Sequence, residues 1–454
     1  MSELDRRSVI AGLPAAAALA AAPRLAAAAP AAQPVFGAET FALANGLTGV
    51  VIPMRRAPVV AHMVWYRVGA ADEPPGLSGM AHFLEHLMFK GTPNVGPGEF
   101  SRRVAHEGGR DNAFTGHDYT GYFQQVAADR LELVMRLEAD RMANLLLDPK
   151  DIEPERLVIL EERRQVIENV PMRRFRERLA PLLFVNHPYG RPVIGWEHEI
   201  RAIPREALVA FHERYYGPGN AILVVQGDVT TDQVRRLAEA TYGRLPRTGR
   251  VERRRPQEPP AAGERRLALA DPRVREPQMA RLFLAPTARQ APDEADALEV
   301  LAHVLGSGPT SRLWRALVDS GLAASASAAY GGESVDPTEF ALYASPRPGV
   351  EPARVEAALG EVLARLLEEG AGEEEVSRAI RQMTAGAVFA RDSLMGGART
   401  VGAALAVDLP LAHVEHWPAR IAAVTPARVT EAARQVLRPD AAVTGWLMPD
   451  GNRS

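Results

Sequence analysis

Between Pro246 and Glu264 the chain turns to Pro, Arg, Gly and Glu, and beyond that stretch the order of its apolar segments begins again. Any fold must therefore hold two versions of one pattern. In the first half, Thr40 to Leu43 and Val50 to Ile52 flank Asn45-Gly46, a turn dipeptide, and read as a hairpin. A third strand is expected over His62 to Val68, a helix over Met80 to Phe89 after Pro74-Pro75-Gly76, and a buried strand over Ala221 to Val225. In the second half the expectations are strand Met279 to Leu284, helices Asp293 to Leu305 and Ser311 to Asp319, then strands Ala323 to Ala329 and Glu339 to Ser345. This predicts an α+β protein of two homologous αβ-sandwich domains, each a mixed or antiparallel sheet with helices on one face. The boundaries read as 36–246 and 266–454, with a linker over 247–265. Each domain has ~200 residues, enough to bury its own core. Arg253-Arg254-Arg255 in the linker reads as a solvated charge run rather than a binding patch.

Residues 1–33 look like an export signal. Arg6-Arg7 precede an apolar, alanine-rich run from Val9 to Ala22, and Ala29-Pro30-Ala31 has a small-x-small cleavage pattern. The paired arginines resemble a bacterial twin-arginine signal in part. The run is too short for a membrane span and is broken by Pro14, Pro23 and Arg24. A periplasmic or secreted protein with no membrane span is the expectation. The formal net charge of −3 gives no electrostatic reason to expect a nucleic-acid partner. There is no cysteine, which excludes disulfides, thiolate metal sites and cysteine nucleophiles, so a metal must be held by His, Asp or Glu.

His82, Glu85 and His86 form His-x-x-Glu-His within the expected helix. Residues four apart share a helix face, so both imidazoles can reach one ion, while Glu85 lies close to that face without having to ligate. Two neutral imidazoles keep a metal Lewis-acidic, and a free carboxylate can take a proton from water. The neighbours Phe83, Leu84, Leu87, Met88 and Phe89 make this helix apolar on nearly every side, so its polar residues need partners. A third ligand is required. The segment Glu153 to Asn169 carries Glu155, Glu161, Glu162 and Glu168, of which Glu155 and Glu162 share a face two turns apart. Periodicity alone does not choose among them.

The stretch Gly79 to Thr92, with His82-Phe83-Leu84-Glu85-His86 at its centre, resembles the signature of the pitrilysin (insulinase) family of zinc peptidases. Within that family the closer resemblance is to the mitochondrial processing peptidases and their bacterial counterparts of similar length. It extends through Val68 to Pro74, Gly108-Gly109, Asn112-Ala113-x-Thr115, Asp118-x-Thr120 and Tyr122. It continues at Glu155-Arg156, Glu161-Glu162, Tyr215-Tyr216-x-Pro218-x-Asn220 and Gly306 with Ser311-Arg312-Leu313, all in family order.

The resemblance implies a zinc metalloendopeptidase with one zinc per chain. It makes Glu162 the third ligand beside His82 and His86, Glu85 the general base, and Glu155 the carboxylate that orients a ligating histidine. It implies that Asn112, Ala113 and Thr115 sit on an edge strand that binds peptides as a further strand. It further implies a closed chamber built from four such domains, so a two-domain chain has to pair. The Arg and Tyr that relatives carry on the C-terminal domain are missing here: Val318 stands where the Arg is expected and Ala324 or Ser325 where the Tyr is expected. A homologous subunit supplying that pair is the favoured reading, with a homodimer as the alternative, or Arg315 or Tyr330 substituting from a shifted position. A catalytically silent scaffold of the same fold is the rival class. Gly306 to Ser311 lacks the Gly-Lys-Ser/Thr ending of a phosphate loop and reads as a turn before a helix.

Overall fold

A computed structural model describes residues 34–390 and 393–450. The export-signal reading falls on residues outside these. The expected hairpin is present: β1 (Glu39–Ala42) and β2 (Thr48–Pro53) pair antiparallel around Gly46, whose φ of 101° suits a glycine. The remaining strands of the first half are β3 (Val59–Tyr66), β4 (Arg110–Thr115), β5 (Thr120–Ala127) and β6 (Ala221–Gly227). In the second half they are β7 (Arg265–Asp271), β8 (Gln278–Ala285), β9 (Ala323–Tyr330), β10 (Thr338–Pro346) and β11 (Val443–Pro449). The first sheet has the order β1-β2-β6-β3-β5-β4 and the second β7-β11-β8-β10-β9. From β2 onward the two orders correspond strand for strand. The senses correspond as well, since β2 runs parallel to β6 as β7 does to β11, and the other neighbours are antiparallel. The repeat read from the sequence is thus a repeat of sheet topology.

The central strands of the first sheet are buried on both faces, as their near-continuous apolar runs require. Val51, Val60, Val64, Tyr66, Leu223 and Val225 face the helices of their own half. These include α1 (Met80–Leu87), α2 (Glu99–His106), α3 (Leu131–Asn144) and α4 (Pro149–Arg163). The alternate residues Val50, Met63, Trp65, Ile222 and Val224 meet Ala398, Val401 and Ala404 of the helix Gly396–Ala406, which belongs to the second half. The exchange is reciprocal. Helix α5 (Pro171–Leu183), from the first half, lays Phe175, Leu179 and Leu183 on Ala280, Leu282, Ala341 and Val443 of the second sheet. Pro34 onward accordingly forms one compact unit.

Both exchanged helices meet the sheet they cover at a glycine, one on the helix itself and one on a strand. A Cβ at Gly402 would lie 2.2 Å from the Trp65 indole, and one at Gly445 would lie 2.7 Å from Phe175 and Leu179. Gly402→Val is expected to cost about 1–3 kcal/mol through overpacking. Chemical denaturation would measure this as a lowered midpoint, and an unchanged midpoint would show that the contact is slack.

The linker does not behave as its composition led us to expect. Residues 247–264 have no regular structure, but of the three consecutive arginines only Arg254 is solvated, with a side chain 82% exposed against 8% for Arg253 and 3% for Arg255. An extended backbone points alternate side chains to opposite sides. Arg253 and Arg255 therefore turn inward together, where Asp72, Asp118 and Asp336 receive them.

Candidate metal centre

Helix α1 starts at Gly79, whose φ of 90° and close approach to the Ile194 carbonyl (2.5 Å from a built Cβ) both call for glycine. Its first N–H groups are capped by a buried carboxylate: Gly79 N donates to Glu73 Oε2 (3.0 Å) and Ala81 N to Glu73 Oε1 (2.7 Å). Burial pushes the Glu73 carboxyl up to about 8 against the pull of those two donors. One turn further on, His82 and His86 stand with ring centroids 4.7 Å apart. Phe83, Leu84 and Leu87 on the other side of α1 anchor it in the core.

Helix α4 crosses behind and brings both acidic residues of its inner face to these rings. Glu162 Oε2 lies 3.2 Å from His86 Nε2 and 3.7 Å from His82 Nε2. Glu155 Oε1 is 2.8 Å from His86 Nδ1. A carboxylate there can only accept, so Nδ1 carries a proton and Nε2 is the atom that would give up its own to face a metal. Lys90 Nζ holds the other Glu155 oxygen at 2.5 Å. Immediately after Glu162 the helix widens into a π-turn, Arg164–Glu168, a feature frequent at functional sites. Glu161, the neighbouring acid, instead pairs with Arg164 and Gln165 on the exposed side. The choice that periodicity left open is made by direction.

The donor set fits a metal ion. One ligand atom from each of His82, His86 and Glu162 falls within 4.8 Å of the others. Tetrahedral ligands at zinc-like bond lengths stand about 3.3 Å apart, close to the two separations above. The electrostatics agree. Burial and the neighbouring His86 lower His82 to about 4, so it is neutral and ready to ligate. For His86 burial works downward, but its hydrogen bonds to Glu155 and Glu162 outweigh it and hold the metal-free imidazole up at about 9. Burial raises the Glu85 carboxyl above the usual range, opposed by Thr115, whose Oγ1 donates to Glu85 Oε2 at 2.5 Å. Glu155→Ala is expected to weaken metal affinity by about 10–100-fold, because His86 loses the partner that fixes its tautomer. Competition with a chromogenic chelator would measure it.

His82, Glu85 and Glu162 line one wall of a cavity of about 1100 Å³. Phe114 and Thr115, at the end of β4, form its edge beside the candidate metal ligands. β4 is the outermost strand of its sheet, as expected, with Asn112 exposed and Ala113 half-buried along it. Asn112 folds its Oδ1 back onto the Ala113 N–H (2.9 Å), and the Thr115 hydroxyl serves Glu85 rather than pointing away from it. The far wall had no signal in the sequence. It comes from Arg173 and Arg176 on α5 and from Glu339 and Tyr343 on β10, with Arg176 paired to Glu339 (2.6 Å) and lying 5.5 Å over the Tyr343 ring. Arg315 lines a different cleft with Arg312 and Arg365. The Tyr330 hydroxyl donates to the Pro286 carbonyl at 2.5 Å. Both shifted substitutes are thus placed outside the metal cavity.

Residues 50–196 match the family described as Insulinase (Peptidase family M16), and residues 202–383 match the Peptidase M16 inactive domain. A Helicobacter pylori protein named zinc protease PqqE is 33% identical over 331 residues, 72% of this chain and 73% of its own. An uncharacterized zinc protease of Streptomyces coelicolor is 29% identical over 85% of this chain and 84% of its own. Among solved structures, a protease from Helicobacter pylori superposes with a TM-score of 0.83 at 28% identity, covering 91% of this chain and 99% of that one. Pitrilysin shares the fold at a TM-score of 0.76 and 20% identity, this chain spanning 45% of its length. With its two halves matched in order and a 33% identical relative aligned over most of both chains, the protein belongs to the insulinase family, peptidase family M16.

Proposed function

We propose that the protein is a zinc metalloendopeptidase that hydrolyses extended peptides or unfolded segments. The observation that carries this reading is the meeting of His82, His86 and Glu162 beside a separate, hydrogen-bonded carboxylate, Glu85, on one cavity wall. When bound to these three residues, zinc supplies a Lewis acid that polarises the scissile carbonyl and lowers the pKa of water toward neutrality. Glu85 takes the proton from water and hands it to the leaving amine. Thr115 holds one of its carboxylate oxygens, and the other has no hydrogen-bond partner among the described residues. Glu155 and Lys90 keep His86 in the ligating tautomer. The backbone of β4 at Asn112, Ala113 and Thr115 offers an edge to which a peptide adds as a further strand, a mode that reads main chain more than side chains.

Removing the hydroxyl that stabilises ionised Glu85 raises its pKa. A base must be ionised to work, so activity is lost as pH falls through that value. Thr115→Val is therefore expected to move the acidic limb of kcat/KM to higher pH, read from a pH–rate profile.

We assign the expected Arg and Tyr to a homologous partner chain, making this the metal-bearing half of a heterodimer. That pitrilysin contains the fold within about twice the length supports the pairing of two such units. The export reading of residues 1–33 puts the reaction in the periplasm or outside the cell. The test is zinc content and hydrolysis of an unfolded protein by the purified chain, alone and mixed with homologous chains from the same genome. Full activity alone would remove the partner. A chain that binds no zinc and stays inactive with every such partner would leave the silent scaffold standing.

A further inference from the structure

Behind the cavity wall, one guanidinium gathers segments that the metal site does not explain. Arg255 Nη1 donates to Asp118 Oδ1 (2.5 Å) and Asp336 Oδ2 (3.0 Å), while Nη2 and Nε donate to Asp72 Oδ1 (2.9 and 3.1 Å). The side chains of Arg255, Asp72 and Asp118 are only 3%, 3% and 5% exposed. Tyr189 completes the node: its hydroxyl donates to Asp118 Oδ2 (2.6 Å) and accepts from Asp336 N (3.2 Å). Val335 N also donates to Asp118 Oδ2 (3.1 Å). Arg253 adds a bond from Nη2 to the Asp118 carbonyl (2.7 Å).

The geography matters more than the count. Asp118 lies in the turn between β4 and β5, and three residues before it stands Thr115, which holds Glu85. Gly116 and His117 in the same turn accept N–H bonds from Ala70 and Ala71, next to Asp72. Asp336 follows Glu333 and Ser334, second-half residues that line the same cavity, and Tyr189 precedes Gly190 and Arg191, which line it too. A single residue of the linker thus ties three lining segments together, two from the first half and one from the second.

We infer that Arg255 is a positioning residue, and that the linker is a strap setting the gap between the metal-side edge strand and the second-half wall of the substrate cavity. Its consequence for Glu85 rests on the peptidase reading above; the strap itself does not. A carboxylate trio in a water-poor site needs its cation, and the planar fork of arginine is what lets one side chain reach all three. Lysine keeps the charge but offers a point donor on a flexible stem, so it neutralises the node without bracing it.

The experiment uses the full chain with zinc and compares wild type, Arg255→Lys and Tyr189→Phe, the last being the milder lesion should the buried arginine prove indispensable for folding. Zinc content is expected to be unchanged, because α1 and α4 hold the metal, while kcat/KM falls about 10²-fold for Arg255→Lys, carried by kcat, and less for Tyr189→Phe. Independently of activity, the cysteine-free sequence permits nitroxide labels at Arg110→Cys and Ser325→Cys, exposed sites on the edge strands β4 and β9. Their distance distribution is expected to broaden or lengthen in both variants. An unchanged distribution, or a lower melting temperature with kcat per bound zinc intact, overturns the strap. If the wild type shows no peptidase activity while the label distances still respond, the peptidase reading fails and the strap stands.

Discussion

Glu85→Gln is expected to lower kcat for peptide hydrolysis by about 10³-fold, within the range that general acid–base groups contribute. The variant should keep its zinc and its fold. Glu85 is outside the candidate ligand set of His82, His86 and Glu162, so metal content measured by atomic absorption should match wild type. The amide retains an oxygen that can accept the Thr115 hydroxyl, and it removes a carboxylate whose ionisation burial opposes. The melting temperature should therefore hold or rise. That combination separates a lost base from a damaged site: a variant that is inactive because it has lost zinc would assign Glu85 a ligand role instead. Residual activity close to wild type would mean that another group takes the proton.

Glu162→Gln is expected to have the opposite signature, with zinc and activity lost together. Glu162 contributes the only carboxylate of the donor set, and its Oε2 faces both imidazole Nε2 atoms. A neutral amide is a poorer ligand for a divalent cation, so the loss of affinity should exceed the about 10–100-fold expected when a supporting group such as Glu155 is removed. Thermal unfolding supplies a readout free of any substrate. A ligand that binds only the native state stabilises it by about 2.7 kcal/mol at one hundred times its Kd. Added zinc should therefore raise the wild-type melting temperature and leave that of Glu162→Gln nearly unmoved. Equal zinc shifts in both would place the third ligand elsewhere on α4.

How much of this was legible in the chain depends on the range of each interaction. His82 and His86 are one helical turn apart, so local geometry alone brings their rings together. Glu155 and Glu162 likewise share a face by periodicity, but nothing local says which acid of that helix meets His86. The family resemblance points to Glu162, and in the structure it is Glu162 that faces both rings while Glu161 projects to the exposed side and pairs with Arg164 and Gln165. Thr115 was legible as an edge-strand residue. Its bond to Glu85 depends on the β4–β5 pair packing beside α1, a contact that sequence spacing does not encode.

The sequence by itself determined the repeated α+β plan, the His-x-x-Glu-His helix and the absence of thiolate ligands. These follow from hydrophobic period, from residues within one or two turns, and from composition. Only the tertiary structure decided that each half roofs the other's sheet, through α5 in one direction and Gly396–Ala406 in the other. An apolar helix face records that it must be covered without recording by which sheet. The same holds for Arg255. A run of three arginines among prolines has the composition of a solvated connector, and its direction inward is set by partners at Asp72, Asp118 and Asp336, far away along the chain. Burial of a charge is a property of what surrounds it, and that is assembled only when the chain has folded.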